Sequence, residues 1–96
     1  MPHPADLLAG QKLKYRRLEL GYSQTKIADF VGVTFQQIQK YERGANRMSA
    51  GTLFDLSLAL AVPVSYFFAE IIERIERRVK PRRIKAERRD KTTTKI

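Results

Sequence analysis

Polar and basic side chains recur at helical spacing between residues 35 and 43. The members that point away from the apolar side of this stretch are Gln36, Gln39, Lys40 and Arg43. Glutamine can bond to both N6 and N7 of adenine, lysine can donate to O6 and N7 of guanine, and Phe35 can touch a thymine methyl group. These residue types predict a surface that reads base edges, although an ordinary solvated helix face carries the same residues.

The rest of the chain has few residues suited to catalysis. It has no cysteine, its one histidine is His3 near the start, and no metal-ligand spacing or glycine-rich phosphate loop is present. Glu70, Glu73 and Glu76 share one side of the last predicted helix, but arginines lie beside them, which is typical of a salt-bridged surface. We therefore expect no enzyme, no metal or cofactor, and no small-molecule ligand.

Two short helices joined by a tight turn position the polar face. Ser23 is a suitable N-cap for a helix over Gln24–Val31, and Gly32 ends it because a residue without Cβ adopts the left-handed conformation easily. Thr34 opens a T-x-x-Q capping box, so a second helix follows and stops at Gly44. The predicted apolar seam between the helices consists of Ile27, Ala28, Val31, Val33, Ile38 and Tyr41.

The spacing of these residues matches a known family. Gln24, Ala28, Gly32 and Ile38, followed by the ending YERG at 41–44, resemble the helix-turn-helix of the Cro/CI-type (XRE) transcriptional regulators, the family of the lambdoid phage repressors. The similarity covers about residues 8–68. It implies an all-α, five-helix, lambda-repressor-like DNA-binding domain with double-stranded DNA as its partner.

The resemblance also implies roles for single residues. The positions expected to face the major groove and read bases are Phe35, Gln36, Gln39 and Lys40. The positions expected to bind backbone phosphates are Gln24, Thr34, Arg43, Asn46 and Arg47. Gln24 is also expected to support the reading helix, whereas Phe35 departs from the polar residue that is common at its position in the family.

A charged residue lies on the predicted buried stripe of the first helix. This helix is predicted to begin after a cap at Asp6 and to run to about Leu20, and Arg17 falls on its apolar side. Buried arginine is rarely tolerated without a partner. The resemblance implies a structural ion pair between Arg17 and Glu42; the alternative is that Arg17 extends its charged end to water.

Two further helices complete the predicted domain. The helix from Ala50 to about Ala61 is apolar nearly all round and is expected to be buried. A fifth helix begins after Pro63, and its apolar stripe extends beyond the compact core. We expect this stripe to form a homodimer interface through Ile71, Ile72, Ile75 and Val79. The alternative is that the helix folds back onto the first helix of its own chain.

The formal net charge of +9 is distributed unevenly. Residues 77–96 contain ten of the 19 lysines and arginines but only two acidic residues. We predict a flexible lead-in over 1–5, the helix-turn-helix domain with its dimerisation helix over 6–79, and a disordered basic tail over 80–96. Such a tail can bind phosphates without sequence preference.

The sequence therefore predicts a sequence-specific DNA-binding transcriptional regulator. We expect a homodimer that acts as a repressor on a near-palindromic operator, with repression resting on the resemblance alone. No apolar run approaches the length of a membrane span, and the lack of cysteine suits the cytoplasm, so a cytoplasmic protein is expected. Two alternatives stay open: an antitoxin-type module that binds DNA and a partner protein, and a loosely specific nucleic-acid binder driven by the basic tail.

Overall fold

The computed structural model describes residues 3–78, and these residues form five α-helices and one 3-10 helix. The helices are α1 (Pro4–Glu19), α2 (Gln24–Val31), α3 (Phe35–Glu42), α4 (Ala50–Leu60), the 3-10 helix (Val64–Phe68) and α5 (Ala69–Arg78). No strand occurs among residues 3–78, so the predicted all-α, five-helix fold is confirmed for them. The predicted tail at 80–96 lies outside the described residues.

The first helix begins earlier than predicted. The backbone N–H of Ala5 donates to Nδ1 of His3 at 2.9 Å, so His3 is the N-cap and the predicted cap at Asp6 is wrong. Pro4 occupies the first helical position, where its fixed φ suits the helix and its missing N–H is not needed. Pro4 and Ala5 therefore belong to α1, and the predicted lead-in over 1–5 is too long.

Local capping fixes the ends of the two motif helices. Ser23 Oγ accepts from the N–H of Lys26 at 3.0 Å, and Thr34 Oγ1 accepts from the N–H of Gln37 at 3.1 Å. Gly32 has a φ of 73° and closes α2 in the left-handed conformation. The turn and the start of α3 are thus determined by residues within a few positions of each other.

The core lies where α1, α2, α3 and α4 meet, and the 3-10 helix closes one side of it. Its buried apolar residues are Ala9, Leu13, Ile27, Ala28, Ile38, Tyr41, Met48, Leu56, Leu60 and Phe67. Phe67 is the largest fully buried side chain. The predicted seam between α2 and α3 is part of this core, with Val31 and Val33 packed at its edge.

The fourth helix is buried on one side only. Phe54 and Leu58, four residues apart, are 55 % and 66 % exposed. The prediction that α4 is buried nearly all round is therefore wrong. In so small a domain a helix meets neighbours on one side, so apolar residues on its outer side stay in water.

The predicted single helix from Val64 onward is divided in two. Residues Val64–Phe68 wind as a 3-10 helix before α5 begins at Ala69. The tighter winding directs Phe67 into the core, while the Tyr66 hydroxyl donates to the Lys12 carbonyl oxygen at 3.4 Å.

Within residues 3–78 no single helix has the length and hydropathy of a membrane span. Only α4 and residues 64–78 taken together have that length and hydropathy, and this pair is bent by 109°.

Candidate nucleic-acid interface

The third helix turns one side into the core and the other toward solvent. Ile38 and Tyr41 are buried on the inner side. Of the four residues predicted to read bases, Phe35, Gln36 and Lys40 are exposed and Gln39 is half-buried. All four lie on the outer side of α3 or at its margin, so their side chains are accessible while Ile38 and Tyr41 stay packed in the core.

A buried ion pair attaches the end of α3 to α1. Arg17 Nε donates to Glu42 Oε2 at 2.6 Å, and Arg17 Nη2 donates to Glu42 Oε1 at 3.1 Å. Arg17 and Glu42 are only 7 % and 8 % exposed. The remaining terminal nitrogen, Nη1, donates to the Tyr22 carbonyl oxygen at 2.8 Å. This two-point geometry fixes the orientation of both side chains, which a single contact does not.

The first residue of α2 joins the same network. Gln24 Nε2 donates to Glu42 Oε1 at 2.9 Å, so the start of α2 is tied directly to the end of α3. Gln24 is half-buried and lies at the helix end where backbone N–H groups and the helix dipole favour an anion. Glu42 thus positions Gln24 relative to α3.

A glycine inside α1 allows the close approach of α3. A Cβ added at Gly10 would overlap the carbonyl oxygen of Tyr41 and lie 3.2 Å from the carbonyl carbon of Glu42. Glycine within a helix otherwise costs about 1 kcal/mol relative to alanine. The sequence interpretation missed this residue, although a glycine in a helical pattern is a signal of close packing.

The predicted phosphate-binding residues lie near both ends of α3. Gln24 and Thr34 stand at the helix starts; Arg43, Asn46 and Arg47 follow the end of α3. Thr34 Oγ1 already accepts the capping bond, whereas Arg43 is exposed and Asn46 is half-buried. Arg47 is largely exposed, and its Nε lies 3.4 Å from Oδ2 of Asp6.

The described residues contain no candidate metal centre. Within 3–78 no three His, Cys, Asp or Glu side chains come close enough together to hold a metal ion. An apolar groove of about 330 Å³ runs between the start of α1 and α5. It lies apart from the α3 face.

Comparison with known proteins agrees with this geometry. Residues 13–67 match the helix-turn-helix family HTH_3, which is more than half of the chain. The chain belongs to the HTH_3 helix-turn-helix family. The family match contains α2, α3 and α4, and therefore the capped motif, the Arg17–Glu42 pair and the predicted base-reading and phosphate-binding residues between Gln24 and Arg47. α5 lies outside it.

Relatives of this HTH_3 chain are named as transcriptional regulators and not as enzymes. An uncharacterized transcriptional regulator in ATPase CF(0) region from Rhodospirillum rubrum is 51% identical over 69 residues, which are 72% of this chain and 64% of that protein. An HTH-type transcriptional regulator from Sinorhizobium medicae is 49% identical over 69 residues, 72% of this chain and 50% of that protein. The chain thus spans about half to two thirds of the length of these relatives.

A solved structure shares the fold. The crystal structure of the restriction-modification controller protein C.AhdI from Aeromonas hydrophila is 26% identical, with a TM-score of 0.65. The similarity covers 69% of this chain and 100% of that one. The predicted DNA-binding fold of the XRE type is therefore confirmed.

Proposed function

We propose that this HTH_3 chain is a sequence-specific DNA-binding transcriptional regulator that reads bases with α3 in the major groove. The observation that carries the proposal is the outer side of α3, where Gln36 and Lys40 are exposed. On the inner side, the ion pair between Glu42 and Arg17 of α1 holds the helix in place. Hydrogen-bonding side chains discriminate between base pairs only when their helix is held in a fixed orientation.

Contacts at both ends of α3 set its register along the duplex. We assign the phosphate contacts to Gln24, Thr34, Arg43, Asn46 and Arg47. The pair between Arg47 and Asp6 is exposed, and such pairs are worth about 0–1 kcal/mol, so a DNA phosphate can replace the carboxylate at little cost. The basic segment 80–96 adds phosphate affinity without base preference.

Replacing a base-reading residue by alanine is expected to relax sequence preference. Gln36→Ala and Lys40→Ala should each weaken binding to the preferred duplex by about 1–3 kcal/mol, because each removes hydrogen bonds to one base pair. Titration of labelled preferred and random duplexes at one salt concentration measures the effect.

Matched surface variants control for side-chain type and charge. Gln11→Ala on α1 and Lys26→Ala on α2 remove the same residue types from exposed positions outside α3. They should leave the ratio of preferred to random affinity unchanged. If Gln36→Ala and Lys40→Ala lower both affinities equally, these side chains do not read bases.

The exposed side of α5 supports dimerisation. Ile71 and Ile75 both line the groove beside Leu8, much as the fold-back alternative requires, but Ile75 is still 53 % exposed and Ile72 is 41 % exposed. The fourth predicted interface residue, Val79, lies outside the described residues. We infer that a second copy covers Ile72 and Ile75 about a two-fold axis.

A charge placed on this face is expected to give monomers. The double variant Ile72→Asp with Ile75→Asp should move the chain from dimer to monomer in sedimentation equilibrium, because two carboxylates cannot be buried without partners. Glu76→Ala, an exposed change on the same helix, is the control and should remain dimeric. A monomeric unmodified chain would contradict the dimer proposal outright.

A two-fold dimer accounts for the kind of operator we propose. Two copies of α3 about one DNA turn apart, roughly 34 Å, match a near-palindromic site. Occupancy of such a site in a promoter is sufficient for repression, so we propose a repressor that acts in the cytoplasm.

A further inference from the structure

The fifth helix is attached to the domain through few contacts. None of its residues is buried within the chain. One residue of α1, Lys12, makes two side-chain contacts in this region: Nζ lies 3.6 Å from Glu70 Oε1 and 5.2 Å from the centre of the Tyr66 ring. Its carbonyl oxygen also accepts the Tyr66 hydroxyl bond at 3.4 Å. Lys12 of α1 therefore contacts both the 3-10 helix and the first turn of α5.

The surroundings of Lys12 favour one conformation of its side chain. Its side chain is only 21 % exposed, so water and salt screen its charge less than that of a surface lysine. The ammonium group interacts at once with a carboxylate of α5 and with an aromatic ring of the 3-10 helix. A side chain held in this way resists tilting of α5 more than either contact alone.

α1 connects the proposed dimer helix to the reading helix. Gly10 lies against the backbone of α3, and Arg17 forms the two-point ion pair with Glu42. Lys12 lies between Gly10 and Arg17 in the same helix. A change in the orientation of α5 on α1 therefore also changes the orientation of α5 relative to α3.

We propose that Lys12 is a positioning residue that sets the operator spacing. By holding Tyr66 and Glu70, it fixes the angle between α5 and α3, and that angle determines how far apart the two copies of α3 lie in the dimer. The half-site spacing that a dimeric reader accepts follows from this separation. The inference rests on the proposed dimeric DNA-binding function.

Lys12→Met is the informative variant. Methionine keeps an unbranched apolar side chain of similar length but removes the charge, and with it both the ion pair and the cation–π contact. Lys14→Met removes an equal charge from an exposed position of the same helix and is the matched control. Glu70→Gln removes the ion pair alone and should have a smaller effect than Lys12→Met.

The first measurement tests the angle without DNA and without a dimer requirement. Because the sequence has no cysteine, Asp29→Cys on α2 and Glu76→Cys on α5 are unique sites for two spin labels. Excess unlabelled protein restricts the measured distances to one chain. We expect a narrow distance distribution in the parent and in Lys14→Met, and a broader or shifted one in Lys12→Met. An unchanged distribution in Lys12→Met would overturn the inference.

The second measurement uses duplexes with two half-sites whose separation changes by single base pairs. The parent should bind one separation roughly tenfold or more tightly than the others, since each inserted base pair shifts and rotates one half-site relative to the other. In Lys12→Met we expect this preference to fall roughly threefold to tenfold, with affinity for an isolated half-site unchanged. A preserved spacing preference would overturn the inference even if the dimer and base reading hold. A parent without any spacing preference would instead refute the dimeric function, and the spin-label result would still decide whether Lys12 fixes α5.

Discussion

Arg17→Met is expected to lower the free energy of unfolding by about 3–5 kcal/mol, because it leaves the Glu42 carboxylate buried without its cation. Both bonds from Arg17 to this carboxylate are lost, as is the bond to the Tyr22 carbonyl oxygen. Gln24 alone still donates to Glu42, and one neutral amide does not balance a buried charge. Urea unfolding followed by circular dichroism measures the loss.

Two further variants separate the charge effect from packing. Removing both charges with Arg17→Met and Glu42→Leu should restore most of the stability, because no unpaired charge is left in the core. Arg77→Met breaks the exposed pair with Glu73 and should cost less than about 1 kcal/mol. If Arg17→Met costs no more than Arg77→Met, the buried pair does not hold α3 in place.

The double variant Arg17→Met with Glu42→Leu also separates the effect on stability from the effect on DNA binding. With Glu42 replaced by leucine, Gln24 loses the acceptor that positions it. We therefore expect a folded protein with weaker affinity for every duplex, since a phosphate contact carries no base information. Its preference among sequences should also fall, since α3 loses the ion pair that holds it in a fixed orientation. Unchanged affinity would show that Gln24 does not depend on Glu42 for its role.

Gly10→Ala is expected to destabilise the domain by about 2–3 kcal/mol and to abolish specific DNA binding, because the new methyl group overlaps the Tyr41 carbonyl oxygen. Backbone atoms cannot move aside like the end of a flexible side chain. The helices must separate, which shifts α3 relative to α2 and to the proposed phosphate contacts. The loss outweighs the gain of about 1 kcal/mol that alanine brings to a helix interior.

A second helical glycine provides the control for this change. A Cβ at Gly51, in α4, would meet only Ser49 Oγ, at 3.9 Å. Gly51→Ala should therefore stabilise the protein by about 0.5–1 kcal/mol through helix propensity. Urea unfolding and DNA titration of both variants make the comparison. Equal effects of Gly10→Ala and Gly51→Ala would contradict the close packing of α1 on α3.

The motif was predictable because its signals are local. Ser23, Gly32 and Thr34 each act on backbone groups within a few residues, so capping and turn chemistry alone place α2 and α3. The start of α1 shows the limit of this reasoning. Asp6 has the better capping propensity, but Pro4 and the acceptor nitrogen of His3 allow the helix to begin earlier.

What the sequence could not predict depends on contacts between distant segments. The exposure of Phe54 and Leu58 follows from which side of α4 meets its neighbours, and composition does not contain that information. The bond from Gln24 to Glu42 and the contacts of Lys12 with the 3-10 helix join residues far apart in the chain. Residue types on α3 indicate which groups it can present to DNA, and the resemblance implied the pair of Arg17 with Glu42, whereas the contacts of Gly10 and Lys12 needed the packed structure.

Selection of bound duplexes from a random pool is the most direct test of sequence-specific recognition by α3. At about 150 mM salt with excess competitor DNA, sequence-independent phosphate binding is suppressed and base reading is retained. We expect an enriched inverted repeat with half-sites about one helical turn apart, and loss of enrichment at defined positions in Gln36→Ala and Lys40→Ala. Retention of DNA without any enriched sequence would contradict it.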